Sequence, residues 1–267
     1  HTPEKTGFAG SYESVIEGCQ PAYLGAPFAP FELKAPMAEG DAKGKKKRKS
    51  SPDAQHPLLA DLDPRVPAAR LDGRLELLKQ LDRLDRQWER SAAERTVDAQ
   101  SSRALVLLRG GGVRNALDLS KEDPRVLAAY DTEHFRNYRC NERSLFERGG
   151  PSIGISLGRQ LLLARRMCEA GCGFVTVIHS NWDFHARKNI PNVPEGMSVL
   201  APPLDHAVAA FLDDVRALSL DYRILLVITG EFGRTPTLDH NLGRHHWPRL
   251  CPLVFAGGGL KHGQVVG

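Results

Sequence analysis

The sequence has little of what would place it in several common protein classes. No apolar run among its 267 residues approaches the ~18–20 needed for a membrane-spanning helix, which excludes a helical membrane-embedded chain. Cysteine is sparse and odd in number. Cys19, Cys140, Cys168, Cys172 and Cys251 form no regular framework, which argues against a disulfide-stapled secreted module. Cys168 and Cys172 stand four apart in a predicted helix, but no second ligand pair nearby would complete a zinc site with them. An excess of charge is lacking too. The chain has 36 Lys and Arg against 32 Asp and Glu, and six of the positives (Lys43, Lys45, Lys46, Lys47, Arg48 and Lys49) lie in one tract. Without that tract the balance turns slightly negative, so nucleic-acid binding by the fold is not expected. No charged-then-apolar leader follows His1. The chain reads as a fragment of a longer one, with any targeting signal upstream.

What remains is ordinary globular composition, 41% hydrophobic and 25% charged, which excludes wholesale disorder and collagen. A mass of 29.4 kDa suits one large α/β domain or two small ones. Two regions are expected. Residues 1–150 are loop-rich and helical. Pro21, Pro27, Pro30, Pro36, Pro52, Pro57, Pro64 and Pro67 interrupt its first part, leaving room for a short helix at Tyr12–Glu17. Glu39–Asp53 has nothing to bury and reads as a flexible, basic insertion; polyanion binding through Lys43–Lys49 is its functional alternative. Leu71, Leu75, Leu78, Leu81, Leu84 and Trp88 form one apolar stripe on a long helix, with a second helix expected over Val97–Leu108. Gly110-Gly111-Gly112 then reads as a helix stop.

Residues 151–267 read as the α/β half. Leu157–Ala170 is helical and ends at Gly171. Phe174–Ile178, Ile224–Ile228 and Leu253–Ala256 are short apolar runs rich in β-branched residues, expected as buried strands, with an amphipathic helix over Leu204–Leu218. Strand, helix, strand in that order predicts a largely parallel sheet flanked by helices.

In such sheets sites gather at the carboxyl ends of strands. Behind the first run stand His179, Asn181, Trp182, Asp183 and His185; behind the second, Glu231, Arg234 and Thr235; beyond them Asp239, His240, Arg244, His245, His246 and Trp247. Mixed carboxylate and imidazole donors suit Zn²⁺, Mn²⁺ or Fe, whereas Mg²⁺ and Ca²⁺ lean on oxygen. Arg234 and Arg244 offer forks for a phosphate or sulfate. Taken singly, Asp183 and His185 are ordinary loop residues, and Glu231 could equally be a helix cap or ion-pair partner. Their expected convergence on one sheet edge is what points to a site.

Four segments carry a resemblance. Trp182-Asp183-Phe184-His185, Gly230-Glu231-Phe232-Gly233-Arg234-Thr235-Pro236, Gly243-Arg244-His245-His246-Trp247-Pro248 and Gly257-Gly258-Gly259-Leu260-Lys261-His262-Gly263-Gln264-Val265-Val266-Gly267 resemble, in order and spacing, the signature series of a sulfatase-like bacterial family catalogued as domain of unknown function 1501. The likeness is looser at Tyr23–Phe31 and Leu117–Glu122. The resemblance implies an alkaline-phosphatase-like (sulfatase-like) α/β fold, truncated here, and a metal-dependent hydrolase acting on a sulfate or phosphate ester. It implies Asp183, His185 and His246 as ligands of a divalent metal, zinc before manganese or iron, and Glu231 as the carboxylate of a second metal position. There Phe232 stands in place of the usual histidine. Arg234, Arg244 and His245, the last replacing the family's usual aspartate, would face the substrate, a small anionic ester or sulfated glycan. The superfamily's nucleophile would lie upstream of His1, and the family points to export. A non-catalytic metal- or ligand-binding protein on the same fold is the alternative.

Overall fold

A computed structural model describes residues 66–84, 111–137, 157–179, 182–186 and 191–266. They fall into two compact units divided after Asp118. The expected helices at Tyr12–Glu17 and Val97–Leu108 and the basic insertion lie outside the described residues.

The first unit contributes two helices, α1 (Ala68–Leu84) and α2 (Gly112–Leu117). α1 is the striped helix of the sequence; Trp88 lies outside the description. The glycine run is not simply a stop. Gly111, at φ 58°, is the N-cap of α2, a conformation that glycine adopts without a Cβ penalty.

The second unit carries the rest. A single 3₁₀ turn (Leu119–Lys121) leads to α3 (Pro124–Ala129), which is capped by Asp123 accepting the Arg125 N–H at 2.8 Å and starts on proline. Another 3₁₀ turn follows at Glu133–Asn137. Helix α4 spans Leu157–Glu169 and closes in a Schellman turn. Gly171 takes φ 99°, the Cys172 N–H donates to the Met167 carbonyl, and the Gly171 N–H donates to that of Cys168, both at 3.0 Å. Helix α5 spans Val193–Ala217.

α5 starts earlier than Leu204 because Asn192 and Glu195 form a reciprocal capping box. Pro202 and Pro203 lie inside it and leave two carbonyls without their helical donors. Packing offsets that loss, since Pro203 is buried, as are Val199, Leu200, Ala207, Phe211 and Val215. Ala207, Phe211 and Val215, spaced four apart, meet Leu157, Leu161 and Leu162 of α4 and Tyr130 in the main core. Arg165 of α4 is buried within it, bonded to Glu122 at 2.8 Å, Asp214 at 2.9 Å and Glu169 at 2.8 Å, while the Tyr130 hydroxyl donates to Asp214 at 3.0 Å. Although burial pushes the Glu122 carboxyl up, Arg166 and Arg165 hold it below its ordinary value.

Two of the three expected strands form: β1 (Leu225–Thr229) and, later, β4 (Leu253–Gly257). They pair antiparallel, with Val227 opposite Phe255. Between them β2 (Gly233–Arg234) and β3 (His246–Trp247) make a second antiparallel ladder. Parallel pairing of neighbouring strands needs a crossover, usually a helix, and the chain between β1 and β4 holds none. Among the described residues both ladders are two-stranded and antiparallel; a largely parallel sheet is not among them. Phe174–Ile178 joins no ladder, and Phe174 is exposed, although Val177 packs on the core. Nor is β1 buried on both faces: Leu226 packs against the core while Leu225 and Val227 are exposed.

Candidate functional site

The site forms where residues 182–186 meet the long connection between β1 and β4. Phe184 is the anchor. Its ring is buried on α5 with Val199 and Leu200, so close to Gly196 that a Cβ there would lie 2.1 Å from the ring. Asp183 and His185 flank that anchor. The His185 N–H donates to the Asp183 carbonyl at 3.1 Å, a tight turn that draws the two side chains together. The opposing loop is fixed to this segment by its backbone. The Arg244 N–H donates to the Phe184 carbonyl at 2.9 Å, and the Val193 N–H donates to Leu242 at 3.0 Å. Gly243 passes so near that a Cβ would stand 2.6 Å from the His185 carbonyl carbon.

Asp239 shapes that loop. Its carboxylate accepts the Asn241 N–H at 2.9 Å and the Gly243 N–H at 2.8 Å, an Asx turn. The Gly243 N–H bond holds its carboxyl below the ordinary value. The β2–β3 ladder does the remaining positioning, since Arg234 and His246 are direct cross-strand partners.

These supports bring three ligand-type atoms together. Asp183 Oδ1 lies 2.8 Å from His185 Nε2 and 3.6 Å from His246 Nε2, and the two Nε2 atoms are 2.9 Å apart. A tetrahedral ion with bonds of 2.0–2.1 Å separates its ligands by about 3.3 Å, so the triangle has the dimensions of a metal face. The donor chemistry agrees. Asp183 Oδ1 is buried and accepts no aligned hydrogen bond, despite Arg234 Nη1 at 2.6 Å. His185 Nε2 can offer one lone pair or one proton, depending on tautomer, but faces an imidazole nitrogen, a carboxylate oxygen and, at 3.1 Å, Arg234 Nη1. One cation bonded to all three ligand atoms would satisfy them together.

Residues 7–267 match the sequence profile of a family described as "Protein of unknown function (DUF1501)". The chain belongs to that family. No curated protein and no solved structure matches it.

The other expected site residues of this family member divide. Arg234 is at the centre, bonded to His185 and paired with Asp183. Its guanidinium also lies 5.5 Å from the Phe232 ring, whose centroid is 4.5 Å from that of His246 with the rings tilted by 45°. His245 is on the rim, its ring 5.8 Å from that of His185 and its Nε2 3.6 Å from Asp239 Oδ2. Arg244 is anchored through its backbone, and its buried Nε has no hydrogen-bond partner. Glu231 stands apart from the ligand triangle: its exposed carboxylate ends 4.0 Å from Arg234 Nη2.

The sequence named Phe184, Gly243 and Asp239 but not their supporting roles, and it passed over Gly196. The Asp239-His240-Asn241-Leu242-Gly243 pattern carried the signal for the Asx turn. His179 stands three residues before Trp182 and meets it edge to face, the indole N–H donating to its Nδ1 at 3.1 Å. Burial pushes its pKa down to about 4.

Proposed function

We propose that this chain is a metal-dependent, hydrolase-like protein of the sulfatase and phosphatase superfamily that acts on an anionic sulfate or phosphate ester. The observation that carries the reading is the convergence of Asp183 Oδ1, His185 Nε2 and His246 Nε2 within 4.8 Å of one another. In this reading those three residues hold one divalent ion. Two imidazoles and a carboxylate favour zinc, with manganese or iron as the alternatives. Once bound, the ion supplies a Lewis acid that activates water or neutralises charge on the ester. Arg244, with its unbonded buried Nε, His245 on the rim and Arg234 at the triangle offer an oxyanion cationic or hydrogen-bonding partners. Such a shell suits a small ester or a sulfated glycan. The superfamily reading carries with it a largely parallel, helix-flanked sheet as the architecture of the whole fold.

The test is hydrolysis of a panel of aryl and sugar sulfates and phosphates by the zinc-loaded protein. The expected result is turnover of one ester class, lost in Asp183→Ala. A second reading, a metal-binding protein without catalysis, is favoured by Phe232, whose ring packs on His246 beside an outlying Glu231 and leaves one ligand triangle among the described residues. Metal bound by Asp183 and His246 with no turnover of any ester supports that second reading.

A further inference from the structure

We infer that Arg234 is an internal cation that competes with the metal for Asp183 and His185, and that Glu231 is the carboxylate to which it moves when the metal binds. The inference rests on the metal reading of the triangle.

It starts from two distances to one atom. Arg234 Nη1 is 2.6 Å from Asp183 Oδ1 and 3.1 Å from His185 Nε2, and those two ligand atoms are 2.8 Å apart. An ion bonded to both at about 2.1 Å stands, even on the far side of the line joining them, no more than about 4 Å from Nη1. A dication and a guanidinium at that separation repel strongly. The bond to His185 adds a chemical conflict, because Nη1 donates to Nε2 and so occupies the lone pair that a metal needs. Metal binding is then an exchange of one cation for another.

A destination for the guanidinium is already in place. Nη2 lies 4.0 Å from Glu231 Oε1, and Glu231 is exposed, so its carboxylate is free of the ligand triangle. Phe232 lies under the guanidinium and gives it an aromatic face to slide along. In the exchanged state Arg234 no longer neutralises Asp183 and becomes available to an incoming anion.

The experiment is a titration of the chelator-stripped intact chain with Zn²⁺ against a chromophoric chelator. It compares wild type, Arg234→Met, Glu231→Gln, the double variant and His246→Ala. Arg234→Met is expected to bind zinc about tenfold more tightly or better. Glu231→Gln should bind it severalfold more weakly, and its effect should vanish in the Arg234→Met background. Unchanged or weaker binding in Arg234→Met overturns the exchange and makes Arg234 a support for the ligands. Equal weakening by Glu231→Gln in both backgrounds overturns Glu231's part and makes it a ligand. Loss of binding in His246→Ala upholds the metal reading separately; retention of wild-type affinity there defeats that reading instead. Should Arg234→Met fail to fold, phenylglyoxal labelling of the wild type decides. Arg234 is expected to react faster with Zn²⁺ bound, and an equal or slower rate overturns the exchange.

Discussion

Asp183, His185 and His246, ordinary loop residues taken singly, were legible as a group because the motif series and their expected convergence marked them, and the structure does bring them together. Where Glu231 ends relative to them was not legible. It lies in an irregular stretch before β2, where no period fixes side-chain direction, and its carboxylate ends beside Arg234. The reach of Arg234 into the ligand triangle was also invisible, since it follows from pairing with His246 across a two-residue ladder. A different residue-scale consequence concerns His179. Burial depresses its folded pKa to about 4, below its ordinary 6.5, so the unfolded chain binds more protons between those values. Its contribution to stability is therefore complete above pH 6.5 and declines as pH falls toward 4. Urea unfolding at pH 7 and pH 5 should show a smaller difference for His179→Leu than for the wild type. An identical difference would count against the buried, neutral imidazole.

At the scale of elements, α4 agrees with its sequence pattern because a clean apolar spacing meets a glycine stop. α5 shows where local rules give way: the expected helix opens at Leu204, yet the capping box at Asn192 and the burial of Pro203 carry it back through the proline pair. Phe174–Ile178 shows the reverse. Its β-branched run is strand-like in composition, but no described neighbour pairs with it. β1 and β4 were correctly located, while their antiparallel direction depends on the helix-free connection between them. Two substitutions test how elements hold the site. Arg165→Ala leaves the nearly buried Asp214 without its cation and Glu122 with Arg166 alone. It should cost roughly 3–5 kcal/mol of stability by denaturant titration. A loss within about 0.5 kcal/mol would show the network to be peripheral. Gly243→Ala would press a methyl group into the His185 backbone. It is expected to weaken zinc binding at least about tenfold while leaving all three ligands present; unchanged affinity would mean that the loop yields.

On the scale of the whole molecule, the site belongs entirely to the second unit, in which one buried anchor, Phe184, ties the ligand segment to α5. Among the described residues no helix is long and apolar enough to cross a membrane. Membership of the family spans residues 7–267, well beyond the four motif segments, so the motifs are local marks of a likeness that runs through both units. The sequence signalled the family and the three residues that the structure brings together; strand direction and loop docking depend on contacts between distant segments that no short pattern encodes. The most direct measurement is elemental metal analysis of the purified intact chain beside Asp183→Ala and His246→Ala. The account predicts near-stoichiometric zinc, manganese or iron in the wild type and little in either variant. Equal metal content in all three proteins, or none in the wild type under conditions that retain zinc in a control metalloprotein, would contradict it.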